Sequence, residues 1–130
     1  MTNARIVGYG LILWLIPFAV AVPLMGRDGV PWVGLFLFKS IMLVVGSAVG
    51  IGLLRKAFAR AGRDYAALGL RTALIWTVMQ WVLDAAILLP LSGQSIGDYI
   101  RQIGLGYLSI ALVCGYGGAI AQDAAGRVTR

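Results

Sequence analysis

Four apolar segments of this chain each have about the length, roughly 20 residues, that a helix needs to cross a bilayer. They run from Ile6 to Met25, from Trp32 to Leu54, from Thr72 to Leu91 and from about Gln102 to Ala121. Backbone polar groups inside a bilayer must be satisfied within the segment itself, which favours helices. The connecting stretches GRDGVP and SGQSIGDY are rich in turn-forming residues. The sequence therefore predicts an all-α polytopic membrane protein, a bundle of four transmembrane helices forming one domain over residues 1–130.

The composition supports this interpretation and excludes several kinds of chemistry. Hydrophobic residues make up 60% of the chain and charged residues 12%, whereas a soluble domain is about half apolar and about a quarter charged. The chain has no histidine and no glutamate, and Cys114 is its one cysteine. Histidine-ligated metals, thiolate metal cages and Ser-His-Asp catalysis are excluded on that basis. We therefore expect no metal and no cofactor, and we expect the protein not to be an enzyme.

Lysine and arginine lie mostly on one side of the predicted topology. On that side lie Arg5, five bases from Arg55 to Arg71, and Arg127 and Arg130, whereas the opposite loops carry only Arg27 and Arg101. Basic loops stay on the cytoplasmic side of a membrane, so we expect a cell (inner) membrane protein with both termini cytoplasmic. The same asymmetry accounts for the net charge of +6, and nucleic acid is not an expected partner.

Two charges lie inside the apolar segments. Lys39 is seven residues from the start of the second segment at Trp32, and Asp84 is seven residues from the end of the third at Leu91. Antiparallel neighbours would bring both to one depth, about 10 Å below the surface. We therefore predict that Lys39 and Asp84 are partners in an intramembrane polar site, with Gln80 and Thr77 continuing the polar row on the third helix. Such a pair either fixes helix register or carries protons or ions.

Small residues predict where the helices pack, and bases predict where they meet the membrane surface. Gly46 and Gly50 form a small-xxx-small pattern, which lets helices approach closely. The other predicted packing positions are on the fourth helix, at Gly104, Gly115 and Gly118. The bases of the RKAFARAGR stretch set the topology and are candidates for binding lipid headgroups; they are Arg55, Lys56, Arg60 and Arg63.

No motif in the chain identifies a substrate or a reaction. The number of small-residue faces and the lack of reactive side chains favour a protein that acts through helix–helix assembly. Its expected partners are the lipid bilayer and either further copies of itself, as a homo-oligomer, or the other subunits of a membrane complex. The alternative is a small proton- or ion-coupled transporter or channel that uses Lys39 and Asp84.

Overall fold

The computed structural model describes residues 2–28, 30–93, 95–102 and 104–128, and these residues form helices joined by short loops. The helices are α1 (Asn3–Leu24), α2 (Leu35–Ala59), α3 (Tyr65–Leu83), α4 (Leu89–Ser92), α5 (Ile96–Gln102) and α6 (Leu108–Val128). A π-helical turn, Asp84–Leu88, joins α3 to α4, and a 3₁₀ turn, Gly104–Tyr107, precedes α6. Four helical segments are long and apolar enough to cross a membrane: Asn3–Leu24, Leu35–Ala59, Tyr65–Ile87 and Gly104–Val128.

Three of these helices, the second, third and fourth, extend well beyond the predicted apolar segments. The fourth ends at Val128, seven residues after the predicted Ala121. The third begins at Tyr65, seven residues before the predicted Thr72, and the second continues to Ala59 instead of ending at Leu54. Charged residues mark where a helix leaves the hydrocarbon, but they do not interrupt its backbone hydrogen bonds. The predicted basic loop is therefore mostly helical, and only Arg60–Asp64 connects α2 to α3. We call this end of the molecule, which carries Arg55, Lys56, Arg60 and Arg63, the base-rich end.

Helix α3 is the centre of the structure. It packs most extensively against α6 and also along α1, while α2 packs chiefly against α1. Among the described hydrophobic residues, the buried core contains Ile6 and Leu13 of α1, Leu53 and Leu54 of α2, and Trp76 of α3. Helix α3 therefore lies between α1 and α6, and α2 packs against α1 and contributes Leu53 and Leu54 to the core.

Helix α2 buries one of its faces near the base-rich end and exposes the same face near the opposite end. Its residues Lys39, Leu43, Gly46, Leu53 and Ala57 lie on one face, at about 100° per residue. On that face Ala57 is 0% exposed and Leu53 7%, whereas Leu43 is 68% exposed and Lys39 is also exposed. The face that is buried near the base-rich end is thus uncovered near the opposite end, and we call Lys39, Leu43 and Gly46 the uncovered strip of α2.

Candidate functional site: a buried polar ladder

Three side chains, two from α3 and one from the π-helical turn that follows it, form hydrogen bonds with α1 at regular intervals. The Trp76 indole Nε1 donates to the carbonyl of Ile6 at 2.9 Å, and the Gln80 side-chain nitrogen donates to the carbonyl of Gly10 at 3.3 Å. In the third bond the direction is reversed, and Trp14 Nε1 donates to Asp84 Oδ1 at 2.7 Å.

The three bonds share one register. Each joins residues 70 apart in sequence, and successive bonds are four residues apart on both helices. A constant offset of this kind requires that α1 and α3 run parallel, and each step advances about 6 Å along the axes. We call these three bonds the polar ladder.

Close packing accompanies the ladder. A Cβ atom added to Gly10 would lie 3.0 Å from both Met79 Sδ and Trp76 Cδ1, so glycine gives α3 room to approach α1 at the middle bond. Trp76 is 1% exposed, Gln80 2% and Asp84 1%. The ladder is therefore a fully buried polar contact in an otherwise apolar core, and its geometry is well suited to fixing the register of the two helices.

The carboxylate at the end of the ladder lies where the helix changes its hydrogen-bonding pattern. The backbone N–H of Leu89 donates to the carbonyl of Asp84, five residues back, which is the π-helical bond. The cause is Pro90, whose ring would clash with the carbonyl four residues before it in a continuous α-helix. π-helical turns recur at functional sites, so Asp84 combines burial, charge and irregular backbone.

Two further polar groups of α3 are buried beside this row. Thr72 is 0% exposed and Thr77 6%. Neither hydroxyl has a hydrogen-bond partner within the described part of the chain. Thr77, Gln80 and Asp84 are all buried on one side of the helix, and Thr72 is a further buried polar residue of α3.

Lys39 does not belong to this site, and the expected partnership between Lys39 and Asp84 is corrected. The Lys39 side chain is exposed, α2 is packed chiefly against α1, and no ion pair joins Lys39 to Asp84 among the described residues. Lys39 is seven residues from Trp32 in the sequence, but α2 begins at Leu35, so Lys39 is only about one turn from the helix end. From there its long side chain can reach the surface of a bilayer.

The glycines predicted to pack are in different situations. At Gly118 an added Cβ would lie 2.6 Å from the Tyr65 carbonyl oxygen and 2.9 Å from Gly69 Cα, so α3 and α6 cross there backbone to backbone. Gly104 is buried, and its carbonyl accepts a bond from Trp81 Nε1 at 3.0 Å.

The remaining glycines do not lie at tight contacts within the chain. At Gly50 an added Cβ would make only an ordinary contact, 3.5 Å from Leu13 Cδ1. At Gly46 and Gly115 it would meet nothing within 4 Å, so a close-packing role for these two glycines inside the chain is corrected. The small-xxx-small pattern on α2 predicts a close neighbour, but no described residue of the chain approaches Gly46 closely.

The predicted headgroup-binding bases all lie at one end of α2 and in the following loop. Arg55, Lys56, Arg60 and Arg63 are exposed. Arg60 also donates to the Tyr9 hydroxyl at 3.4 Å, which connects the loop to α1.

The sequence did not predict Trp14 and Trp76 of the polar ladder, the buried Thr72, or the contacts of Gly69 and Gln122. Trp14 supplies the donor to Asp84, Gly69 faces Gly118, and the Gln122 side-chain oxygen accepts from the Tyr65 backbone N–H at 2.9 Å, capping the start of α3. A signal for Trp14 exists in the sequence, since a buried indole N–H needs an acceptor. Gly69 lies in the stretch that was interpreted as a loop, and the Gln122 contact spans 57 residues.

Comparison of this chain with known protein families, with curated proteins and with solved structures finds no match.

Proposed function

We propose that this chain is a non-enzymatic integral membrane protein that acts by assembly, with the uncovered strip of α2 as the surface that binds a helix of another membrane subunit. The observation that carries the proposal is the exposure along one face of α2, where Ala57 is 0% exposed and Leu43 68%. Gly46 lies between them with open space around it, so a helix of another chain has room to approach closely there.

Charge favours a different subunit over a second copy of this chain at this surface. In a two-fold dimer about the membrane normal, the two Lys39 side chains would meet at one depth. Two like charges 8 Å apart repel by about 2 kcal/mol at an effective dielectric constant of 20. A partner helix with a carboxylate near its end would instead pair with Lys39. The polar ladder then acts as the internal fastener that holds α1 and α3 in register.

Photocrosslinking at matched positions of α2 tests this surface. Leu43 and Val44 are both 68% exposed, but they point about 100° apart around the helix. With a benzophenone amino acid in native membranes, we expect a discrete protein adduct at position 43 and only lipid adducts at position 44.

Two glycine variants provide the control for that experiment. Gly46→Leu adds bulk where the chain leaves open space, and so does Gly52→Leu on the other side of α2. We expect Gly46→Leu to abolish the adduct and Gly52→Leu to preserve it, with both chains equally stable. Lipid adducts alone at position 43 would contradict the assembly proposal, and an adduct of twice the chain mass would identify a homo-oligomer.

The proposed membrane orientation places both termini and the base-rich end in the cytoplasm, because bases are retained on that side. In a Cys114→Ala background, we expect an impermeant thiol reagent to label Asp28→Cys on intact cells and to leave Asp123→Cys unlabelled until the cells are opened. The reverse labelling pattern would invert the topology.

A second candidate function is proton or ion transport through Asp84. The observation that favours it is the buried carboxylate at a π-helical turn, on the same helix face as the Thr77 hydroxyl, which is buried and has no partner among the described residues. Intramembrane carboxylates commonly mark ion pathways. Flux through reconstituted protein that disappears in Asp84→Asn would support this candidate over the assembly proposal.

A further inference from the structure

A groove lies between α2 and α6 at the base-rich end, apart from the polar ladder and from the uncovered strip. The groove is shallow and open to the surface, and its volume is about 490 Å³. The residues that shape it are Arg55, Phe58, Tyr65, Ala121, Ala124 and Ala125. The groove exists because alanine side chains on α6 are too short to fill the space opposite α2.

Two aromatic rings close one side of the groove. Phe58 and Tyr65 meet edge to face, with ring centroids 5.9 Å apart. Phe58 also lies against α6, since an added Cβ at Gly117 would lie 3.9 Å from its ring and 3.6 Å from Leu54 Cδ2. The inner wall is therefore rigid and apolar, and it offers carbon surface to a ligand.

Among the described residues that line the groove, Arg55 is the one with a charged side chain. It is exposed and lies one turn before the end of α2 at Ala59. In the proposed topology this is the depth of the lipid headgroups. A guanidinium binds phosphate oxygens in a bidentate geometry, so the charged group and the apolar wall together match an amphipathic anion.

The surrounding charge has the same sign as Arg55. The described part of the base-rich end carries Lys56, Arg60, Arg63 and Arg127 in addition to Arg55, against Asp64 and Asp123. Each lysine or arginine near an anionic membrane surface contributes about 1 kcal/mol of attraction. An anionic ligand is therefore favoured over a neutral or cationic one.

We propose that this groove binds one anionic phospholipid, with the phosphate on Arg55 and an acyl chain along the alanine face of α6. This inference rests on the proposed membrane location, but it does not depend on which partner binds α2. In this proposal Arg55 binds the lipid phosphate directly, whereas the other bases only add to the positive charge of the surface.

Lipid retention by the detergent-purified full chain tests the proposal. Phosphatidylglycerol and phosphatidylcholine with identical acyl chains are added, and the bound lipid is counted by native mass spectrometry. We expect phosphatidylglycerol to bind at least about fivefold more tightly, the factor that about 1 kcal/mol produces. Arg55→Gln should remove that preference.

Lys56→Gln is the matched control, because it removes the same charge from the neighbouring position and does not line the groove. It should retain most of the preference, and Ala124→Leu, which fills the groove, should weaken both lipids together. Equal losses in Arg55→Gln and Lys56→Gln would overturn the proposal, since only the net charge of this end would then matter. Equal retention of the two lipids by the unaltered chain would overturn it too, as would displacement of phosphatidylglycerol by soluble glycerol phosphate. Circular dichroism of each variant confirms that it is folded.

Discussion

Gly118→Ala is expected to lower the free energy of unfolding by about 2–3 kcal/mol, at the upper end of the usual cost of overpacking. The added methyl group would lie 2.6 Å from the carbonyl oxygen of Tyr65 and 2.9 Å from Gly69 Cα. Both obstacles are backbone atoms, so no side-chain rotation relieves the clash and α3 must move away from α6. Equilibrium unfolding in mixed detergent micelles measures the loss.

Gly115→Ala is the control on the same helix. Its added Cβ would meet nothing within 4 Å, and alanine is favoured over glycine in a helix by up to about 1 kcal/mol. Both variants reduce the conformational freedom of the unfolded chain to the same extent. The difference between their free energies of unfolding therefore measures the α3–α6 contact. Equal stabilities of the two variants would mean that the helices do not approach closely at Gly118.

The second large effect is expected at the last bond of the polar ladder. Trp14→Phe removes the indole donor that binds Asp84 Oδ1 at 2.7 Å, and Asp84→Leu leaves the buried indole N–H without that acceptor. Each change should lower the free energy of unfolding by about 2 kcal/mol, because a buried polar group that loses its partner costs about 1–3 kcal/mol. The double variant should lose less than the sum of the two, with a coupling energy of about 1–2 kcal/mol. That is the top of the range for hydrogen bonds between membrane helices, since the acceptor is a carboxylate.

Lys39→Met distinguishes this geometry from the ion pair that the sequence suggested. The Lys39 side chain is exposed, and surface substitutions usually change stability by less than about 0.5 kcal/mol. A loss at Lys39→Met as large as that at Asp84→Leu, together with coupling between the two sites, would restore the ion pair and contradict the structure described above.

The variant Asp84→Asn distinguishes the two candidate functions, assembly and transport. Asp84→Asn keeps an oxygen that can accept from Trp14, so it should preserve most of the stability of the ladder. If Asp84 is a fastener, this variant also keeps the crosslink at position 43 of α2. If reconstituted wild-type protein carries a proton flux and Asp84→Asn is stable but silent, the carboxylate has a transport role and the assembly proposal gives way to it.

The existence of the four long helices was predictable, because a run of about 20 apolar residues is enough to specify a helix that can cross a bilayer. The ends of those helices were less predictable. Arg55 and Arg71 were interpreted as loop residues, but both are helical, since charge ends the apolar run without breaking the backbone hydrogen bonds. The buried face with Thr77, Gln80 and Asp84 was also predictable, since their spacing places them on one side of a helix.

Pairing between helices was decided only by the tertiary structure. By itself the sequence determined that Asp84 needs a partner inside the core, and opposite charge made Lys39 the natural choice. The partner in the structure is Trp14, 70 residues away, because α1 and not α2 lies along α3. Gly69 and Gly118 likewise meet only because α3 and α6 cross where both helices lack a side chain. Helical periodicity assigns residues to a face, but which faces meet depends on how all the helices pack together, and that information is not contained in any single segment.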